Sequence, residues 1–264
     1  MNIHFKNTEL LETLQKATLV EIEVGSALYG VKNADSDTDM LCIYVPSYNK
    51  QHSFLDLHHT LQYKDEASNT DYIFEDLYTF IQNILSGDSS VYFESLHTET
   101  LKNSVLGYLY ENRTNFYNYN IVKAYAGFCK RDRKYLIPSI LEREQAKRLL
   151  HIDRGVLFAE GILKKDLQIN HPQIKERLEY FKTLNFKEKA SEADILLEKA
   201  ENIRKQVTQM LEQKKICRVM ETQEQKKLDN FLCELSKTKI YLSKQTEYMD
   251  LELFYEAMEN GVNY

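Results

Sequence analysis

An α+β fold, with a small mixed sheet packed on an all-helical C-terminal body, is what the sequence predicts, on three observations. Branched, alternating runs suited to strands occur only before about residue 105. Beyond that point apolar residues recur at helical spacing, with few glycines and only Pro138 and Pro172 as breaks. No Gly/Ser-rich linker, internal repeat or low-complexity tract intervenes, so a first domain over 1–105 is expected to pack directly on a helical domain over 106–264.

The elements follow in order. Thr8 to Ala17 reads as a helix, with Leu10, Leu11 and Leu14 at helical spacing and Asn7 or Thr8 as its cap. Thr18 to Val24 alternates as a strand and Gly25 ends it. Thr38 to Val45 is a second strand closed by Pro46. His59 to Lys64 and Thr70 to Phe74 read as two more, joined by the polar turn Asp65-Glu66-Ala67-Ser68-Asn69. Glu75 to Leu85 is expected as a helix ending at Gly87, and Ser89 or Ser90 can cap another through Val91 to Leu96. The remainder reads as helices near Thr114 to Arg131, Ser139 to Glu160, Gln173 to Thr183, Phe186 to Cys217, Glu221 to Leu235 and Thr238 to Asn260, the fourth long enough to invite a break.

Composition narrows the function classes. The N-terminal segment lacks a basic start followed by an apolar core, and no run approaches the ~18 apolar residues of a membrane helix, so a cytoplasmic protein is expected. Cys42, Cys129, Cys217 and Cys233 have no metal-ligand spacing and are expected as free, mostly buried thiols. His52 and His58-His59 lack a partner cluster, which argues against zinc. Charge is uneven: residues 1–105 hold 6 basic against 16 acidic side chains, a net −10, and the rest hold 28 against 24, a net +4. An acidic pocket in the first part can accept a triphosphate only where divalent cations bridge the like charges.

The chemistry-bearing segment is Gly25-Ser26-Ala27-Leu28-Tyr29-Gly30, followed by Asp35-Ser36-Asp37-Thr38-Asp39 and the apolar run Met40 to Val45. Alternate acids open a calcium loop, but the sixth position is Met40 rather than glycine and the twelfth is Pro46 rather than glutamate, so that reading fails. An isolated Asp-x-Asp is usually an acidic surface turn. Here Asp37 and Asp39 stand two apart at a strand start and leave the same face, as carboxylates sharing divalent ions must. Gly25 and Ser26 lie where a preceding strand ends, so a following helical turn would aim N–H groups and the Ser26 hydroxyl at phosphate oxygens. No Gly-Lys-Ser/Thr follows, so this is not a Walker loop; Lys32 could assist it or be merely solvated.

Across Val24 to Val45 the chain resembles the nucleotidyltransferase superfamily of DNA polymerase β, whose signature is Gly-Ser, a gap, then Asp-x-Asp entering a hydrophobic strand. Within it the segment looks most like stand-alone bacterial and phage nucleotidyltransferases associated with RNA repair. Further likenesses are Thr70 to Leu77, the Gly87 to Leu96 segment with Glu94, and the helix Lys147 to Arg154; they reach to about residue 165. The resemblance implies a Mg²⁺-dependent enzyme with two ions, Mn²⁺ being the alternative ion, that moves NMP from an NTP such as ATP to an acceptor hydroxyl and releases pyrophosphate. It implies that the first domain is catalytic, that Asp37, Asp39 and a third carboxylate hold the ions, and that Gly25, Ser26, Tyr29, Lys147, His151 and Arg154 meet the nucleotide. An RNA end is the favoured acceptor, with a small molecule or a protein hydroxyl as alternatives, and a non-catalytic nucleotide- or partner-binding protein is the rival class.

Asp71 is the choice for the third carboxylate, because it interrupts the strand-like run Thr70 to Phe74; its alternative role is to cap the helix from Glu75 onward. Asp35, Asp65, Glu75 and Asp76 fit exposed turns or a first helical turn. In the helical part, Lys147, His151 and Arg154 share a face at i, i+4 and i+7, and Lys130-Arg131-Asp132-Arg133-Lys134 forms a basic cluster; either is an anion site or a solvated face. Tyr108, Tyr110, Tyr117, Tyr119 and Tyr125 could stack bases, although such spacing more often builds core or rim.

Overall fold

The alternating runs pair into one five-stranded mixed sheet in the order β1-β4-β5-β3-β2. The strands are β1 (Asn2–His4), β2 (Thr18–Val24), β3 (Thr38–Tyr44), β4 (Thr60–Asp65) and β5 (Thr70–Asp76). The computed structural model describes residues 2–6, 8–33, 36–45, 60–87 and 90–246. Asn7, Asp35, Pro46, His52, His58, His59, Ser89 and the expected helix beyond Thr246 lie outside the described residues.

Parity along the strands decides what each face meets. Cys42, Tyr44, Leu61 and Phe74 pack under helix α1 (Thr8–Ala17), which buries Leu10, Leu14 and Ala17 against them. Val20, Ile22, Val24, Leu41 and Ile43 point the other way, into a core shared with the helices that follow. The sheet is therefore covered on both faces, and the odd-numbered residues of β3 look toward the helical body.

That body consists of α2 (Leu77–Ser86), α3 (Ser90–Ser95), α4 (Glu99–Lys102), α5 (Gly107–Glu111), α6 (Tyr119–Tyr135), α7 (Glu142–Lys164), α8 (Pro172–Thr183), α9 (Phe186–Glu212), α10 (Thr222–Ser236) and α11 (Lys239–Thr246). Helix α9 is continuous rather than broken; Asn185 and Glu188 form a reciprocal capping box at its start. Pro172 begins α8, where its missing N–H costs nothing.

Four expectations need correction. Residues 75 and 76 extend β5 instead of opening a helix, and Asp76 is the cap of α2, accepting from the Thr79 N–H at 2.9 Å. Glu75 is not exposed: it is buried, accepting from Thr60 Oγ1 at 2.8 Å and from the Tyr92 hydroxyl. The thiols are evenly divided, with Cys42 and Cys129 buried, Cys217 half-buried and Cys233 exposed. The tyrosines belong to core and rim: Tyr125 is buried, Tyr108 stacks on Phe231 at 4.4 Å between centroids, and Tyr117 hydrogen-bonds His97 Nε2 at 2.9 Å. Among the described residues no helix is long and apolar enough to cross a membrane.

Candidate active site

Strand pairing assembles the acidic centre. β3 and β5 run parallel with Asp39 directly opposite Asp71, and Asp37 precedes Asp39 by one strand period on the same side. One carboxylate oxygen from each of the three lies within 4.8 Å of the others. Asp71 therefore does not cap α2; Asp76 does. Burial first, and then the charges of Asp37 and Asp71, raise the Asp39 carboxyl above its ordinary range, against the pull of Lys32. Lys32 is held between Glu23 and Thr38 Oγ1, the latter at 2.9 Å, and Lys64 stands opposite Asp71 across β4 and β5 at 3.6 Å.

Such a centre suits a divalent cation. Three hard oxygen donors converge from two strands, and the mutual repulsion that raises Asp39 is the energy a cation would relieve. Asp37, Asp39 and Asp71 are the residues that fit the ion, in the alternate-strand arrangement rather than a calcium-loop one.

The glycine turn is fitted to this centre. β2 runs antiparallel to β3 with Val24 opposite Asp39, so the chain leaves β2 beside that carboxylate. Gly25 adopts φ +66°, and a Cβ there would fall 2.2 Å from Asp39 Oδ2. Only glycine meets both demands. The 3₁₀ turn Gly25–Tyr29 follows and is closed by Gly30, also left-handed, with the Val31 N–H donating to the Ser26 carbonyl at 3.1 Å. Gly25→Ala should cost about 1–2 kcal/mol of stability from the backbone alone. Displacing Asp39 should lower turnover by roughly 10²-fold; denaturant unfolding and steady-state kinetics of this variant check the two effects separately.

Gly25, Ser26, Tyr29, Asp37 and Asp39 line one cleft of about 1060 Å³, together with Lys147, His151 and Arg154 of α7. The i, i+4, i+7 spacing thus does turn these three side chains toward the acidic centre. Their environments differ, however. The Arg154 guanidinium lies over the Tyr29 ring at 3.8 Å. Below them the buried carboxylate of Glu94 accepts from the Tyr29 hydroxyl and from the Tyr125 hydroxyl, the latter at 2.9 Å. Burial raises Glu94, while Arg154 and the two phenol donors pull it back toward the charged form. His151 sits 4.0 Å from Asp132, but desolvation and the neighbouring Arg154 lower its imidazole, so it is neutral at pH 7. The cations of this face are Lys147 and Arg154.

The basic cluster at 130–134 is not a uniform face. Asp132 is buried at its centre and holds Arg131 at 3.4 Å and Arg148 of α7 at 3.0 Å, while Arg133 pairs with Asp194 at 2.7 Å. Sequence spacing had no means of linking Glu94 to Arg154, Lys64 to Asp71, or Lys175 of α8 to the cleft it lines, because each link joins separate elements.

No curated protein matches the chain at a significant level. The model of the RNA repair pathway DNA polymerase beta family (RlaP) matches residues 4–234, through the sheet, the three aspartates and most of the helical body. On that match the chain belongs to the RNA repair pathway DNA polymerase beta family, whose membership implies nucleotidyltransferase-type chemistry.

Proposed function

We propose that the protein transfers NMP from a nucleoside triphosphate to an acceptor hydroxyl, an RNA end being the favoured acceptor, with release of pyrophosphate. The observation that supports this most is the meeting of Asp37, Asp39 and Asp71 beside the Gly25–Tyr29 turn. In this reading residues 1–105 carry the chemistry and 106–264 supply the opposite wall of the cleft.

The acceptor oxygen attacks the α-phosphorus, the bond from that phosphorus to the α,β-bridging oxygen breaks, and pyrophosphate leaves with the electron pair. Mg²⁺ held by the three aspartates would supply charge neutralisation on the phosphates and would acidify the acceptor hydroxyl. The chain's own groups do the positioning. The Ser26 hydroxyl and the backbone N–H groups of the turn hold the β- and γ-phosphates, Lys147 neutralises their charge, and Arg154 fixes Tyr29 at the end of that turn. Asp71, from the separate strand, receives the proton of the acceptor hydroxyl.

Two measurements test this. Incubation with each NTP labelled at the α-phosphate, against RNA with a free 3′-hydroxyl, a protein mixture and small alcohols, should label RNA; no label on any acceptor would defeat the reading. Asp71→Asn keeps a side chain of the same shape and leaves the Asp76 cap of α2 in place. We expect an unchanged Tm within about 1 °C and a turnover loss of roughly 10²-fold or more; full turnover in this variant would remove Asp71 from the centre.

A further inference from the structure

The cleft is longer than one triphosphate requires, and its outer end carries cations that the protein does not pair. Arg154, at Tyr29, and Arg143 both line it, and eleven residues of α7 separate them. At the helical rise this is about 16 Å. Along that length the other basic groups have protein partners: Lys147 pairs with Glu144 at 3.3 Å, Arg148 with Asp132 at 3.0 Å, and Lys182 of α8 with Glu179 at 2.7 Å. Arg143 and Lys175, on the two helices that form the outer banks, line the cleft without an ion-pair partner among the described residues. Beside them the Tyr135 ring is 56% exposed, with the Arg148 guanidinium 5.5 Å above its centroid. Since Arg148 also lines the cleft, Tyr135 is one side chain away from it.

We propose that this outer half seats the acceptor, and that the acceptor is a single-stranded nucleic-acid end. Arg143 and Lys175 hold its phosphates and Tyr135 stacks on a base. Regularly spaced phosphates demand separated, unpaired cations along a groove, and unpaired bases demand an exposed flat ring next to it. A small alcohol or a protein hydroxyl requires neither. The exposed pairs Lys147–Glu144 and Lys182–Glu179 are weak in water and yield readily to a phosphate. This inference rests on the proposed transfer reaction for its role, but not for its test.

The test is fluorescence anisotropy with a labelled ten-nucleotide single-stranded RNA, without NTP, between 50 and 200 mM salt, beside separate titrations with ATP. For the Arg143→Ala, Lys175→Ala double variant, the slope of log affinity against log salt should shrink by about 1.4, the loss of two single-strand phosphate contacts. Tyr135→Ala should weaken RNA binding by roughly 5- to 150-fold while Tyr135→Phe retains it. ATP affinity should stay within about twofold in all three, since the nucleotide seat lies at the other end of the cleft. RNA binding that keeps its strength and salt slope in both alanine variants would overturn the proposal. So would loss of ATP binding in the double variant, which would make the outer cations part of the triphosphate seat. Loss of RNA binding in a protein that transfers no NMP from any NTP would uphold the surface and sink only the reaction.

Discussion

Asp39→Asn is expected to lower kcat/KM for NMP transfer by roughly 10³-fold or more, because the charge that binds the ions is gone while the side-chain shape remains. Its stability should move the other way. In the folded protein Asp39 is raised above the unfolded value, so its ionised form is less favourable in the native state and its cost grows as pH rises through the folded pKa. At neutral pH in EDTA the asparagine variant should therefore melt above the wild type. The advantage should vanish as pH falls through the folded pKa toward the unfolded one, where the wild-type carboxyl is protonated in both states. Added Mg²⁺ should raise the Tm of the wild type and leave that of the variant nearly unchanged. A wild type that melts above the variant in EDTA at neutral pH would show that the three carboxylates do not repel one another as their geometry requires.

Glu94→Ala should be the most damaging substitution for stability. The side chain is fully buried and is the common acceptor for two phenols, with the Arg154 guanidinium in its field. Alanine leaves a buried charge and two buried hydroxyls without that acceptor, a loss of about 3–5 kcal/mol. For a chain of this length that corresponds to a fall in Tm of roughly 10 °C. Glu94→Gln keeps an acceptor oxygen and should lose less. Because Tyr29 closes the turn that begins at Gly25, the surviving folded fraction of the alanine variant should also show reduced turnover, measured below its melting range. An unchanged Tm would mean that the network is not what holds the turn against α7.

How much of this was legible in the sequence depends on distance along the chain. Asp37 and Asp39 share a face because two residues make one strand period, and Gly25 declares a turn because a left-handed backbone favours glycine. Both are local facts. Asp71 required the parallel pairing of β3 with β5, which no spacing contains; the family resemblance suggested it and the register places it opposite Asp39. Glu75 and Asp76 resemble first-turn acids of a helix, and only one of them behaves so. Asp76 caps α2, whereas Tyr92 and Thr60, from other elements, draw Glu75 inward. Periodicity likewise put Lys147, His151 and Arg154 on one face but was silent about their states. The guanidinium beside His151, and the Tyr29 ring under Arg154, come from tertiary packing. The three residues of β1 are too few to carry a period and become a strand through pairing with β4.

The proposed chemistry is tested most directly by following two labels of one nucleotide in parallel reactions with RNA. With wild-type protein and Mg²⁺, phosphorus from the α-position should appear on the RNA in equal amount to γ-phosphorus in pyrophosphate, and Asp39→Asn should produce neither. Recovery of the γ-label as orthophosphate with unlabelled RNA, or α-label transfer that persists in Asp39→Asn, would contradict nucleotidyl transfer at the Asp37, Asp39 and Asp71 centre.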